Sequence, residues 1–427
     1  MNVQLQSNAS SALVSALDSV SQSMNPFVYQ YGKKSTICYN HVPSHAKTVV
    51  TGQSTGGIGF NQNIDFPVIK SGMLTDAFLK VVVKNSSGAA VVLNSNIGNL
   101  QVAEINLMTS GKIVATSKPF GRSCLMSQAP YGRRKNLEAL HSIVGQTATD
   151  KGLANGSSLT FYVPLGFSCF ESLEQNYNTS FVENLVVRVR LREANAYSDN
   201  DTDKTLVALS LTSCELVQCF SLMPADLEQK QIQANFGESE SLTRVQYDLI
   251  EESTTKTAAA AVSQVFEHTI TSNRVINKLF IALEGTTDAV AAHANSRAEG
   301  GYLPLSNIKI EGNGQTIIDL DGDLVAYALN KDMCSSNLAN AVGNHWDSNA
   351  PEHTKNIYCF DLGYTKNLAI ASNALSAREI NSLKITATSS ASAALTANPY
   401  NLRICMICPQ LESINAASGK ISTSLSS

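Results

Sequence analysis

Asp319, Asp321 and Asp323 alternate along Asp319-Leu320-Asp321-Gly322-Asp323, an oxygen-rich spacing that suits calcium when a loop wraps around it. The calcium loop of helix–loop–helix proteins needs glycine at its sixth position and glutamate at its twelfth. Counted from Asp319, Gly322 is fourth and Asn330 twelfth, so the run reads as a polar strand end or turn. Cys334, His345, His353 and Cys359 are zinc-ligand types, but their spacing fits no compact zinc module. Cys405 and Cys408 form a CxxC inside Leu402–Cys408. That segment reads as a strand, where positions three apart face opposite sides, so the pair is not a metal clamp. Gly52 to Gly59 is glycine-rich, yet no Lys-Ser/Thr follows it to hold a phosphate, and it reads as a hinge. Glu251 and Glu252 are adjacent carboxylates with nothing to mark one as a raised acid beside an ionised base. Nucleophile-elbow, zinc-protease and dinucleotide motifs are absent. These readings assign no catalytic residue, no metal and no cofactor, and a non-enzymatic protein is expected.

Attention then falls on the elements that carry these residues. The chain has 427 residues, room for two domains, and 43% hydrophobic residues can fill two cores. Charged residues are only 15%, against about 25% in typical soluble proteins. Surfaces depleted of charge suit burial against neighbours. The net charge is -4 and the pI about 6.0, a poor match for phosphate backbones. The longest basic run, Arg133-Arg134-Lys135, reads as a solvated loop, and no sequence-specific nucleic-acid binding is expected. Nine cysteines lie scattered without a disulfide framework and read as reduced thiols. The N-terminus lacks the features of a signal peptide, and no apolar stretch nears the ~20 residues of a membrane span. Folding in a cytoplasm or nucleus is expected.

Residues 9–24 have helical spacing, with Leu13, Leu17, Val20 and Met24 on one face and Asn25-Pro26 as the stop. The first basic residue is Lys33, so this face is expected to dock on protein rather than lipid. From residue 62 onward the signals are strands: Phe78–Val83, Ile105–Leu107, Ile113–Ala115, Phe161–Leu165, Leu185–Leu191 and Leu206–Val217. Helices are expected at Asn136–Val144 and, after Pro224, in a short connector through Gln231. A second strand-rich block runs from about Arg244 to Cys408, and the Ser-rich Ala416–Ser427 is expected to be mobile. The expected division is an N-terminal arm over 1–61, a first sandwich over 62–221, a connector over 222–243, a second sandwich over 244–410 and a tail over 411–427.

The two blocks resemble each other. Leu79–Val83 has a counterpart in Leu279–Leu283. Ile105-Asn106-Leu107, Gly111-Lys112 and Val114 recur as Ile308-Lys309-Ile310, Gly314-Gln315 and Ile317. Pro164-Leu165-Gly166-Phe167 recurs as Asp361-Leu362-Gly363-Tyr364, and Val187–Leu191 as Leu383–Ala387. Shared order and near-constant offset predict two like domains. Each block also has a long irregular stretch, Arg122–Leu159 and Asn330–Asn356, and loops of such length tend to be functional. The fold class read here is all-β, two tandem eight-stranded jelly-roll sandwiches with a few short helices.

Tyr358-Cys359-Phe360-Asp361-Leu362, followed by the run Ser372 to Leu383, resembles the C-terminal domain of double jelly-roll major capsid proteins of icosahedral viruses. Phe161-Tyr162-Val163-Pro164-Leu165-Gly166-Phe167 is similar to the family's aromatic-x-x-Pro-Leu-x-Phe strand, and Ile308–Gly314 to its strand ending in Asn-Gly. The chain departs from the family's Asn-x-Ser-Arg-Ile-Asp at Leu375 and Ala377, and Glu379 is extra before Ile380. The resemblance implies homotrimers whose six sandwiches form a pseudo-hexagonal tile, with long loops outward and the N-terminal segment inward. It implies contacts with neighbouring trimers, with penton or minor capsid proteins, and with an internal membrane where one is present. Leu13, Leu17, Val20 and Met24 would then serve assembly beneath the tile. The alternative reading is a β-sandwich ligand-binding module, such as a viral spike or fibre or a carbohydrate-binding surface protein.

Overall fold

The computed structural model describes residues 48–51, 58–70, 72–93, 97–126, 151–170, 176–192, 209–221, 241–258, 263–285, 302–321, 324, 357–363, 374–380, 382–390, 399–415 and 417–425. Eight strands of the first half are β1 (Thr48–Thr51), β2 (Asn63–Pro67), β3 (Met73–Asn85), β4 (Val102–Thr109), β5 (Lys112–Ser117), β6 (Ser158–Pro164), β7 (Leu185–Leu191) and β8 (Leu209–Ser221). Eight of the second half are β9 (Ser241–Thr257), β10 (Val265–Thr269), β11 (Lys278–Gly285), β12 (Leu305–Gly312), β13 (Gln315–Asp321), β14 (Tyr358–Asp361), β15 (Leu383–Ser389) and β16 (Pro399–Asn415). A further strand, β17 (Ile421–Leu425), follows. Two short helices, α1 (Ile97–Leu100) and α2 (Pro119–Met126), belong to the first half.

The first half forms two sheets ordered β1-β8-β3-β6 and β2-β7-β4-β5. The second repeats this as β9-β16-β11, with β14 on the far side of β11, and β10-β15-β12-β13. Each strand of the second half thus stands where the strand eight places earlier stands in the first. Facing antiparallel sheets in this order are jelly rolls. The repeat segments fall on matching strands, Leu79–Val83 on β3 and Leu279–Leu283 on β11, and Val187–Leu191 on β7 and Leu383–Ala387 on β15.

Local chemistry fixes the strands. In β7, Leu185, Val187, Val189 and Leu191 are buried while Arg188 and Arg190 face outward. Arg188 sits opposite Asp65 and holds it with two hydrogen bonds, at 2.6 and 2.8 Å. The β4–β5 and β12–β13 hairpins turn through Ser110-Gly111 and Asn313-Gly314, all four residues with positive φ. Two central residues of this kind make the tight turn whose twist matches antiparallel strands, and glycine adopts it without strain. Each sandwich has its own core, one around Phe66, Leu79, Ile105, Phe161 and Val187, the other around Phe266, Leu279, Ile308, Ile385 and Ile404.

Three expectations are corrected. The N-terminal arm was expected to run to residue 61, yet β1 within it pairs with β8 and forms the sheet's edge. The tail expected to be mobile contains β17, which pairs with β16 from Gln410 to Ile414. The first irregular stretch begins inside α2, and β6 starts at Ser158, within the same stretch. The physical reasons differ: β1 is short and is placed by the remote β8, whereas β17 is short and mostly polar and is held as a hairpin by the adjacent β16 rather than by its own pattern. The helices expected at 9–24, 136–144 and 224–231 lie outside the described residues.

Candidate functional site: the interface between the two domains

The two sandwiches are joined by a buried seam built around α2. Pro119 fits a first helical turn, where its missing N–H is not needed. The residue before it, Lys118, has no side-chain acceptor to cap the first amides, and α2 carries no acid in its first turn. The second domain supplies the cap: the Gly121 N–H donates to Oε1 of Glu251 on β9 at 2.8 Å. A carboxylate at a helix N-terminus also meets the positive end of the helix dipole. A Cβ at Gly121 would stand 2.8 Å from that same oxygen and 3.4 Å from Leu249 Cδ1, so this close approach requires glycine.

Apolar packing completes the seam. Phe120, Cys124 and Leu125 of α2 bury themselves on the outer face of the β9-β16-β11 sheet, among Tyr247, Phe280 and Ile407. The Phe120 and Tyr302 rings meet edge to face at 5.6 Å. Arg122 turns the other way, into the first domain, where it is 1% exposed. Its guanidinium donates to Asn99 Oδ1, to the carbonyls of Ser117 and Asn99, and to the Val102 carbonyl. Burial pulls Arg122 down to about 9, so it is still charged at neutral pH.

Two acids of β9 are enclosed on opposite faces of its sheet, Glu251 toward α2 and Asp248 on the side of Cys408 and the second core. Burial raises Glu251 above the ordinary carboxylate range, against the opposing pull of the Gly121 amide and of Arg403, Lys118 and Arg122. Burial pushes Asp248 up to about 6, opposed by Arg274 3.7 Å away and by the Leu249 amide. Burial also pushes the Cys124 thiol well up, with Cys405 beside it adding to the shift.

A second contact lies at the far end of the long β9–β16 ribbon. Ile414 of β16 and Ile421 of β17 are buried in the first domain's core, not the second's. Tyr177 Oη donates to Glu412 Oε1 at 2.8 Å, and the Glu183 N–H donates to the Gly419 carbonyl at 2.9 Å. Gly419 has φ +65°, and a Cβ there would fall 2.1 Å from the Phe181 carbonyl oxygen. Ser168 Oγ donates to Gln246 Oε1 across the same boundary.

The residues singled out in sequence are dispersed. Leu13, Leu17, Val20 and Met24 lie outside the described residues, as do Asp323, Cys334, His345 and His353. Asp319 and Asp321 stand exposed on β13, with Asp319 Oδ1 accepting from Asn307 at 3.1 Å. Cys405 joins the interdomain cluster while Cys408 joins the second core, the opposite faces that a strand spacing of three requires. Glu251 and Glu252 part in the same way. Glu252 Oε2 meets His268 Nε2 at 2.7 Å, and its carboxylate accepts from Thr271 and Ser272 amides. His268 Nδ1 reaches Thr254 Oγ1, so a hydroxyl–imidazole–carboxylate chain ties β9 to β10 at the edge of the sandwich. Sequence reading missed both this chain and the α2 cap. A proline start with no acceptor before it was the one available signal for the cap.

No protein-family model matches the sequence, and no curated protein matches it. Solved structures do. PBCV-1 VP54 superposes with a TM-score of 0.64 at 11% identity, covering 90% of this chain and 97% of that one. The Faustovirus major capsid protein gives 0.62 at 9% identity, over 86% of this chain and 90% of that one. The mavirus major capsid protein gives 0.56 at 12% identity, over 90% and 91%. The sheet order repeated twice, and overlap along nearly the whole length of each of these proteins, lead to one statement: the chain has the double jelly-roll fold of viral major capsid proteins.

Proposed function

We propose that the chain is a major capsid protein that self-assembles as pseudo-hexagonal trimers into an icosahedral shell. The observation that carries this reading is the pair of like jelly rolls locked into one body by α2 and by the β16–β17 hairpin. A tile needs two sandwiches at a fixed angle, and a sealed apolar seam fixes it. Little charge and many small polar residues suit a surface that is largely covered by neighbours. The function is non-enzymatic, and the virion is where the protein acts. Penton and minor capsid proteins, and an internal membrane where present, are the further partners, met by the inward-facing Leu13, Leu17, Val20 and Met24.

Negative-stain electron microscopy of the expressed full chain tests the reading. Trimers with a hexagonal outline that tile into arrays are expected. A stable monomer that binds glycans would instead favour a ligand-binding sandwich.

A further inference from the structure

Two Asn-Gly pairs occur in the chain, Asn155-Gly156 and Asn313-Gly314, and the fold treats them differently. In such a pair the glycine nitrogen reaches the asparagine side-chain carbonyl most easily, because glycine has no Cβ to hinder the approach. All four residues are exposed, and a Cβ at either glycine would meet nothing within 4 Å. Space therefore does not separate the two pairs.

Hydrogen bonds do. The Gly156 N–H donates to the Asn85 carbonyl at 2.8 Å, and Asn155 Oδ1 accepts from the Gly88 N–H at 3.1 Å. Nucleophile and electrophile are both held. The Gly314 N–H has no hydrogen-bond partner among the described residues. The Asn313 side chain is held by a single long bond, from the Ser382 N–H to its Oδ1 at 3.3 Å. In the matching turn of the first domain, Ser110 takes the same positive φ and has no amide to lose.

We propose that Asn313 is a site of spontaneous deamidation and isoaspartate formation, with water as co-reactant, and that Asn155 is protected from it. After a rotation of the Asn313 backbone, the Gly314 nitrogen gives up its proton to base and attacks Asn313 Cγ. A C–N bond closes a cyclic imide as ammonia leaves. Water then opens the ring. Cleavage at Cγ leaves aspartate in an unchanged chain, whereas cleavage at the original carbonyl leaves isoaspartate, with the chain rerouted through Cβ and Cγ. Water is consumed, ammonia is released, and nothing is oxidised or reduced.

The two products differ in effect. Aspartate still offers an acceptor to the Ser382 N–H, so the turn stays tied to the start of β15. Isoaspartate adds a carbon to the backbone of a tight turn. The 2.9 Å bond from the Asn313 N–H to the Ser382 carbonyl and the Gly312–Gln315 register then cannot both hold. The β12–β13 edge of the second sandwich loosens while the first sandwich is spared. This chemistry is independent of whether the chain forms shells.

Ageing the full chain in warm, mildly alkaline buffer, followed by peptide mass mapping, tests this. Asn313 is expected to gain the mass of amide-to-acid conversion, with fragmentation resolving aspartate from isoaspartate at that position. Asn155 should convert about tenfold more slowly, because its two hydrogen bonds must open first. In urea the two rates should converge. Equal rates in the native protein, or a preference for Asn313 that persists in urea, would overturn the assignment. Asn313→Asp should melt as the fresh wild type does, and Asn313→Ser, which copies the first domain's turn, should keep its melting temperature on ageing. An aged fraction rich in isoaspartate that melts with fresh protein would overturn the loosening.

Discussion

The Gly121 amide of the first domain donates to the Glu251 carboxylate of the second at 2.8 Å, so one domain caps a helix of the other. The absence of a side chain at 121 and the presence of an acceptor at 251 are one design. Gly121→Ala is expected to destabilise the protein by about 1–3 kcal/mol, the range for overpacking a filled site. Glu251→Gln keeps the acceptor while removing a buried charge, and should be neutral or stabilising at neutral pH. Glu251→Ala leaves the amide unpaired at about 1–3 kcal/mol. Midpoints of urea unfolding for the three variants check the order.

Asp248, beside Arg274 in the second domain, gives stability a pH dependence with a definite sign. Its folded value is raised to about 6, so the native state holds the proton more tightly than the unfolded chain does. Stability from this group is full below about pH 4 and falls as pH rises toward about 6, by up to roughly 3 kcal/mol. Glu252 works oppositely: burial would raise it, but the His268 and Thr271 hydrogen bonds prevail and hold it low, so its contribution is lost on acidification. Melting temperature against pH should lose its fall between about pH 4 and 6 in Asp248→Asn. An unchanged slope would contradict the assignment.

The β16–β17 hairpin should matter to the first domain more than to its own. Ile414→Ala is expected to cost about 2–5 kcal/mol, as for other buried aliphatic truncations. Gly419→Ala meets both a positive φ and the Phe181 carbonyl, and should detach the hairpin. Limited proteolysis would then cut first-domain sites faster while the second core stays protected.

Thiol reactivity should rank by burial. Cys214 is pushed up to about 12 by burial and by Glu215 nearby, and Cys124, Cys405 and Cys408 are also raised and enclosed. Cys219 is the half-exposed thiol among the described residues. Brief labelling of native protein followed by peptide mapping should find Cys219 modified well before the other four.

Deleting residues 1–26 removes Leu13, Leu17, Val20 and Met24 together. Trimers should persist while particle assembly fails. Trimers that dissociate on deletion would assign this segment to the tile itself.

The sequence disclosed what is local or repeated. Strand β7 follows from Leu185, Val187, Val189 and Leu191 alternating with arginines, and the matched hairpins after Ile105-Asn106-Leu107 and Ile308-Lys309-Ile310 follow from their own turn residues. What was hidden is set by distance along the chain. Thr48–Thr51 takes its place as an edge strand only when the distant β8 lies beside it. Nothing near Pro119 says that its helix cap sits at Glu251. The Thr254–His268–Glu252 chain likewise appears only once β9 and β10 are brought edge to edge.

Ile414 and Ile421 follow the first domain's last strand by about 190 residues, counted from Ser221 to Ile414. On a ribosome making about 5–20 residues per second, the first sandwich therefore waits roughly ten seconds or more with two places in its core vacant. During that interval its apolar interior is open to chaperones and to other nascent chains. The hairpin thus acts as a completion signal, because a chain stopped short of Ile414 leaves the first domain's core unfinished and cannot enter an assembly as a whole tile.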